Sequence, residues 1–378
     1  MAKKIVTNFA IDFLIQPPVF FRGQPISGII SICLEEPIEI ECLKVRMVGK
    51  SRTNLVFMSH KSNPKFNQEI KDEETFVDQY RILVGKEHEG RLLLPAGKSE
   101  FNFNFTLPTE SKLPSTFESR SSEGYIRYSI AAVLMRPWDT DYISKRAFTV
   151  LEEIDINQPA LKEQPPILEG ETSVCCHCWT RRSLNLAMTI DRSGYCPGEA
   201  IVLNVRCKNT SNRILNGLQV KLCRRTQYYA KDHDQITYKS YYRLTSDKQI
   251  NVGETFIWSN QLIRIPCISP SINSAKLIKV NYELRVSVKV PYDTDFRAVI
   301  PIVIGTIPLE VQTQSGGPIP IRAFYDDTSR AGAYRLDTNY SKCVDGTVPI
   351  HKVKSTFGQP NYIPYYPFVR NYRPPLTN

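Results

Sequence analysis

Hydrophobic and polar residues alternate along this chain with a period of two. Phe101-Asn102-Phe103-Asn104-Phe105 alternates strictly, and so does the run from Val280 to Val290. In a strand, successive side chains point to opposite faces, so such runs place one face on a core and the other in water. Similar runs predict strands over 9–14, 26–34, 42–48, 75–84, 125–135, 184–190, 201–207, 217–223, 255–265 and 299–305. Clusters of Gly, Pro, Asn and Ser separate them. No convincing amphipathic helix longer than about ten residues is present. Many short strands at this spacing predict an all-β chain of antiparallel sandwiches.

The pattern occurs twice. Phe21-Arg22-Gly23-Gln24-Pro25-Ile26 answers Cys196-Pro197-Gly198-Glu199-Ala200-Ile201. Leu43-Lys44-Val45-Arg46-Met47 answers Leu218-Gln219-Val220-Lys221-Leu222 at the same offset of 175 residues. Further on, Pro95-Ala96-Gly97-Lys98-Ser99 answers Asn251-Val252-Gly253-Glu254-Thr255 at 156, and Ile126-Arg127-Tyr128-Ser129-Ile130 answers Val280-Asn281-Tyr282-Glu283-Leu284 at 154. The falling offset means that the first half carries roughly twenty extra residues, placed near 60–74. Two similar β modules imply a concave interaction surface more than one catalytic pocket.

The boundaries follow from composition. Residues 1–157 form the first module, and a proline-rich polar linker at 158–171 includes Pro159, Pro165 and Pro166. The second module covers 172–311. From Gln312 the alternation stops, and 312–378 reads as a flexible Tyr- and Pro-rich tail that docks locally through its aromatics.

Charge adds a weak constraint. The 378 residues carry 48 Lys and Arg against 38 Asp and Glu, a formal charge of +10 spread along the chain. Such a field favours acidic partners. No apolar run approaches the roughly 20 residues that span a bilayer. The start has no apolar leader segment, Ala2 stands where myristoylation needs glycine, and Pro375-Leu376-Thr377-Asn378 is not a prenylation box, so a cytosolic protein is expected. Its ten cysteines are then mostly reduced, and Cys33, Cys42, Cys207 and Cys223 fall in strand-like stretches as small packing residues.

Catalysis finds no support in the sequence. His60, His88, His177, His233 and His351 lie in loops or at edges, away from any recognised nucleophile context. No phosphate-binding loop, dinucleotide fingerprint or His-Glu-x-x-His occurs, so neither enzyme activity nor a cofactor is expected. Nucleic acid is excluded as a partner because a high isoelectric point is the only feature in its favour.

The motifs, taken in order, resemble a known family. Ile190-Asp191-Arg192-Ser193-Gly194-Tyr195-Cys196-Pro197-Gly198-Glu199 is similar to the start of an arrestin C-terminal domain, and Phe20-Phe21-Arg22-Gly23-Gln24 with Gly28 to the matching N-terminal turn. Cys175-Cys176-His177-Cys178-Trp179 resembles the opening of the second domain in arrestin domain-containing proteins, the α-arrestins. Ile304-Gly305-Thr306-Ile307-Pro308-Leu309 resembles the segment that closes it. The likeness covers about residues 5–311. It implies two tandem arrestin-type, immunoglobulin-like sandwiches. It also implies an adaptor that binds membrane receptors or transporters as cargo and recruits WW-domain HECT-type ubiquitin ligases or endocytic machinery. Peripheral membrane association, at the plasma membrane and endosomes, comes with it.

Three groups of residues are candidate sites. Cys175, Cys176, His177 and Cys178 are potential metal ligands, but an extended strand splits them between two faces, and zinc sites need pairs spaced to converge. Packing at the domain entrance is the favoured reading, beside S-acylation and a redox- or metal-responsive regulator. The second group is in the tail. No Pro-Pro-x-Tyr occurs, yet Gln359-Pro360-Asn361-Tyr362 and Ile363-Pro364-Tyr365-Tyr366 keep one proline and the tyrosine, and Tyr365-Tyr366-Pro367-Phe368 fits a loose sorting signal. Pro360, Tyr362, Pro364, Tyr365, Tyr366 and Phe368 therefore either bind a partner or dock the tail on its own domains. An arrestin-fold scaffold without ligase recruitment is the alternative function. The third group comprises Lys3 and Lys4 beside the first strand and Arg46, Lys50 and Arg52 on another, with Lys221, Arg224 and Arg225 on its repeat partner. They either contact phosphate or form a solvated sheet face.

Overall fold

In the computed structural model, the described residues are 5–57, 68–88, 90–119, 123–165, 167–173, 183–291, 295–309, 338–345, 348–349, 356–358 and 361–369. They build two β-sandwiches. The alternation predicted from sequence is realised in burial: Pro25–Leu34 and Ile278–Val288 each show every second residue buried. The single helix among the described residues, Pro159–Lys162, is four residues long and buries nothing.

The first sandwich packs a three-stranded sheet, in the order Val6–Phe13, Pro25–Leu34, Gly97–Thr106, against a larger one. The larger sheet runs Val19–Phe21, Tyr142–Leu151, Gly124–Met135, Cys42–Phe57, Gln68–Gly85. The second sandwich repeats this plan. Ser183–Ile190, Ala200–Asn209 and Thr255–Arg264 form one sheet, with Leu168–Ser173 added at its edge. Gly194–Tyr195, Phe296–Ile304, Ile278–Val288, Leu218–Ala230 and His233–Ser246 form the other. The correspondence extends to direction: both short strands, Val19–Phe21 and Gly194–Tyr195, pair in parallel with their neighbours, whereas the other strands named above pair antiparallel.

A buried tyrosine corner closes each core. The Tyr128 hydroxyl donates to Pro114 O at 2.8 Å, and its repeat partner Tyr282 donates to Ser269 O at 2.6 Å. Each hydroxyl is thereby satisfied inside an apolar core, where an orphaned one costs about 1–3 kcal/mol.

The extra residues of the first half lie mainly in one hairpin. Its arms, Cys42–Phe57 and Gln68–Gly85, are joined through 58–67, whereas Leu218–Ala230 and His233–Ser246 are joined by two residues. The lengthened arm reaches the second sandwich. Asp72 Oδ2 accepts the Lys231 amide and Glu74 Oε2 accepts the Lys276 amide, both at 2.9 Å. Thr53 Oγ1 adds a bond to Tyr229 O at 2.7 Å.

The closing segment completes the seam between the sandwiches. Thr306 N and Ile307 N donate to Ile154 O, Ile156 N donates back to Ile307 O, and Thr306 Oγ1 donates to Glu152 O. A Cβ at Gly305 would lie 2.3 Å from Ile156 Cγ2, so only glycine lets the two chains approach this closely. Buried apolar side chains connect across the seam into one cluster, although each sandwich keeps its own pair of sheets.

Candidate functional site, a tail seated between two sandwiches

The described parts of the tail fold back onto the domains. Thr338–Lys342 pairs antiparallel with Tyr365–Val369, and Val348–Pro349 with Asn361–Tyr362. Thr356–Gly358 adds in parallel to Tyr142–Leu151, and Phe357 packs its ring against those of Phe9 and Tyr142 at 6.2 and 6.1 Å between centroids.

Aromatic side chains seat the tail. Tyr366 is 1% exposed, and its hydroxyl donates to Thr116 O at 2.8 Å. Tyr362 is buried and shares a hydroxyl–hydroxyl bond with Thr149, whose oxygen also accepts the Tyr365 amide at 3.1 Å. Burial pushes both phenols above their ordinary range, so both remain un-ionised. Cys343 and Tyr366 join Val19, Phe21 and Leu151 of the first sandwich and Cys267 of the second in one apolar cluster. Ile363, Tyr365 and Phe368 pack against it half-buried.

Backbone bonds complete the contact with the second sandwich. Val344 N donates to Cys267 O at 2.9 Å and Val369 N to Pro197 O at 2.8 Å. Gly198, from the repeated turn, has φ +92°, and a Cβ there would lie 2.1 Å from Val369 O. The tail thus fills space that a side chain would occupy.

One charged cluster lies within this contact. Arg224 and Lys239 stand directly opposite each other on adjacent strands. Like charges in that relation repel. Arg224 is also 5% exposed, between the rings of Phe117 and Tyr241. Asp345 of the tail answers both cations. Its Oδ2 meets Arg224 Nη1 at 2.6 Å and accepts from the Tyr241 hydroxyl at 3.0 Å, while its Oδ1 meets Lys239 Nζ. Burial works against the Asp345 carboxylate, but Arg224, Lys239 and the Tyr241 hydroxyl outweigh it and hold the group below the usual carboxylate range.

The sequence-nominated residues divide accordingly. Tyr362, Pro364, Tyr365, Tyr366 and Phe368 all lie in the tail seat. Arg46 is paired bidentately with Asp78 across the hairpin, and Lys50 with Glu73 at 2.9 Å. Arg52 is exposed and lines a small cleft of about 170 Å³ with Thr53, Asn54 and Lys71. Lys3, Lys4, Cys175, Cys176, His177, Cys178 and Pro360 lie outside the described residues. Sequence reasoning marked Arg224 only as one of several strand cations and passed over Asp345, Lys239 and Thr149. Asp345 is one of four acidic residues in the tail, beside Asp326, Asp327 and Asp337, so charge did not single it out.

The comparisons with known proteins accord with this architecture. The family model for the arrestin (or S-antigen) N-terminal domain matches residues 9–157, and that for the C-terminal domain matches 180–309. Arrestin domain-containing protein 17 of Caenorhabditis elegans is 31% identical over 345 residues, covering 84% of this chain and 77% of its own length. The chain belongs to the arrestin family, among the arrestin domain-containing proteins. Human arrestin domain-containing protein 4 is 34% identical over 295 residues, 76% of this chain and 68% of its own. Human thioredoxin-interacting protein is more distant, 25% identical over 307 residues, 81% of this chain and 76% of its own. Arrestin-family proteins are non-enzymatic scaffolds and adaptors, and this chain is one of them.

Proposed function

We propose that this arrestin-family protein is a trafficking adaptor whose recruiting tail is stored between its two sandwiches. The sandwiches bind a membrane receptor or transporter as cargo. The tail, once out of its seat, recruits a WW-domain ubiquitin ligase of the HECT type or endocytic machinery. The protein works from the cytoplasm, with peripheral recruitment to the plasma membrane and endosomes.

One observation carries this reading. The described tail tyrosines are engaged with the first sandwich, through the Tyr362 hydroxyl on Thr149, the Tyr365 amide on Thr149 Oγ1 and the Tyr366 hydroxyl on Thr116, while the Pro364 carbonyl is held within the tail by Cys343 N. A WW groove needs the same proline and tyrosine surfaces. Recruitment and docking therefore exclude each other, and the tail's affinity for a partner is reduced by the fraction of molecules in which it is docked.

The test titrates a WW domain against three species: a 350–378 peptide, the intact chain, and the intact chain with Asp345→Asn. The account predicts weak binding to the peptide, weaker to the intact chain and recovery in the variant. No binding by the peptide, beside a Pro-Pro-x-Tyr control that binds, removes the ligase role and leaves a scaffold that binds cargo alone.

A further inference from the structure

We propose that Cys267 and Cys343 form an oxidation-sensitive pair whose disulfide would fasten the tail to the second sandwich. Cys267 lies in the segment after Thr255–Arg264, and Cys343 follows the tail strand Thr338–Lys342. Both are free thiols buried in the same small cluster.

The backbone brings them together. Cys267 O accepts the Val344 amide at 2.9 Å, and Cys267 Sγ lies 3.1 Å from Ser341 O. Cys267 thus touches the tail on both sides of Cys343. The bonded residue, Val344, is the next in sequence after Cys343, so the Cys343 Cα lies one residue, about 3.8 Å, from the one that meets Cys267. No other described cysteine shares this cluster.

The oxidant is hydrogen peroxide. Thiolate sulfur attacks one peroxide oxygen, the O–O bond breaks, and a sulfenic acid forms as the first water leaves. The second thiol then displaces the sulfenic oxygen, the S–S bond forms, and a second water departs. Two thiols lose two electrons and two protons in all, and the peroxide is reduced to two waters. Burial pushes both thiols to about 12, so thiolate is scarce at neutral pH and the pair closes slowly. Raising the pH from 7 to 9 supplies about 100-fold more thiolate and a matching rise in rate.

The crosslink needs the docked tail but not the recruiting role, so bond mapping and partner binding succeed or fail separately. Intact chain is treated with hydrogen peroxide at pH 7 and pH 9, alkylated, digested without reductant and mapped by mass spectrometry. The expected product links the Cys267 and Cys343 peptides, forms faster at pH 9, disappears on reduction and is absent from Cys267→Ala and Cys343→Ala. In the Asp345→Asn chain, whose tail is released, the same crosslink forms more slowly. Oxidation of either residue only to sulfinic or sulfonic acid, or linkage of both to other cysteines, overturns the proposal. Unchanged thermal unfolding of the two alanine variants separates a lost crosslink from a lost fold.

Discussion

The two sandwiches share their topology and differ at an inner-face position that the repeat makes equivalent. Gly49 in the first faces Tyr128 on the neighbouring strand, and Arg224 in the second faces Tyr282. At Gly49 a Cβ would lie 2.4 Å from the Tyr128 ring, so the missing side chain lets the tyrosine lie on the backbone, where Phe76 stacks over it. That position is sealed by apolar packing. At Arg224 the space holds a guanidinium with Lys239 across from it, and the anion comes from the tail. One duplicated frame therefore ends in an aromatic plug in one copy and a cationic socket in the other, and only the socket draws a distant segment of the chain onto it.

The largest expected effect comes from emptying the socket. Asp345→Asn leaves two facing cations without their anion, and losing one partner of a buried ion pair costs about 3–5 kcal/mol. Limited proteolysis should then cut the tail rapidly and leave both sandwiches intact. Acid acts in the same direction. Because the folded carboxylate titrates below its unfolded value of about 3.9, docking is at full strength above that pH and weakens as the pH falls through the lower folded value. Tail cleavage by an acid-active protease at pH 5 and pH 3 measures this.

The repeated turn gives the next comparison. Gly23 and Gly198 both have positive φ, and alanine at either costs about 1–2 kcal/mol for that conformation. At Gly23 the added Cβ meets a side-chain methyl of Thr109, whereas at Gly198 it meets the Val369 backbone. Gly198→Ala should lower tail protection well beyond Gly23→Ala, although the two shift the melting temperature similarly. Tyr366→Phe should cost about 1–3 kcal/mol by orphaning Thr116 O, read as faster exchange of the tail amides. The smallest effect is expected on the outer hairpin. Arg46→Ala breaks an exposed pair worth under about 1 kcal/mol and should leave tail protection unchanged.

Much of this frame was legible in the sequence because period-two alternation and glycine-bearing turns are local signals. The alternating runs near Ile26 and Val280 became strands, and the paired turns at Gly23 and Gly198 took positive φ in both copies. The tail was legible only in part. Its aromatics announced a docking segment, yet nothing local told whether Tyr362 and Tyr366 would face a partner or Thr149 and Thr116. The socket was hidden for a related reason. Arg224 and Lys239 are separated by a hairpin, and Asp345 lies more than a hundred residues further on, so their meeting depends on long-range register that composition does not carry.

Amide hydrogen exchange on the intact chain at neutral pH tests the seated tail most directly. Cys343, Val344, Tyr365 and Val369 donate their amides to Pro364 O, Cys267 O, Thr149 Oγ1 and Pro197 O. The account predicts that these four exchange far more slowly than in a free tail peptide and lose that protection in Asp345→Asn. Peptide-like exchange at all four in the unaltered chain, while the sandwich amides stay protected, would contradict it.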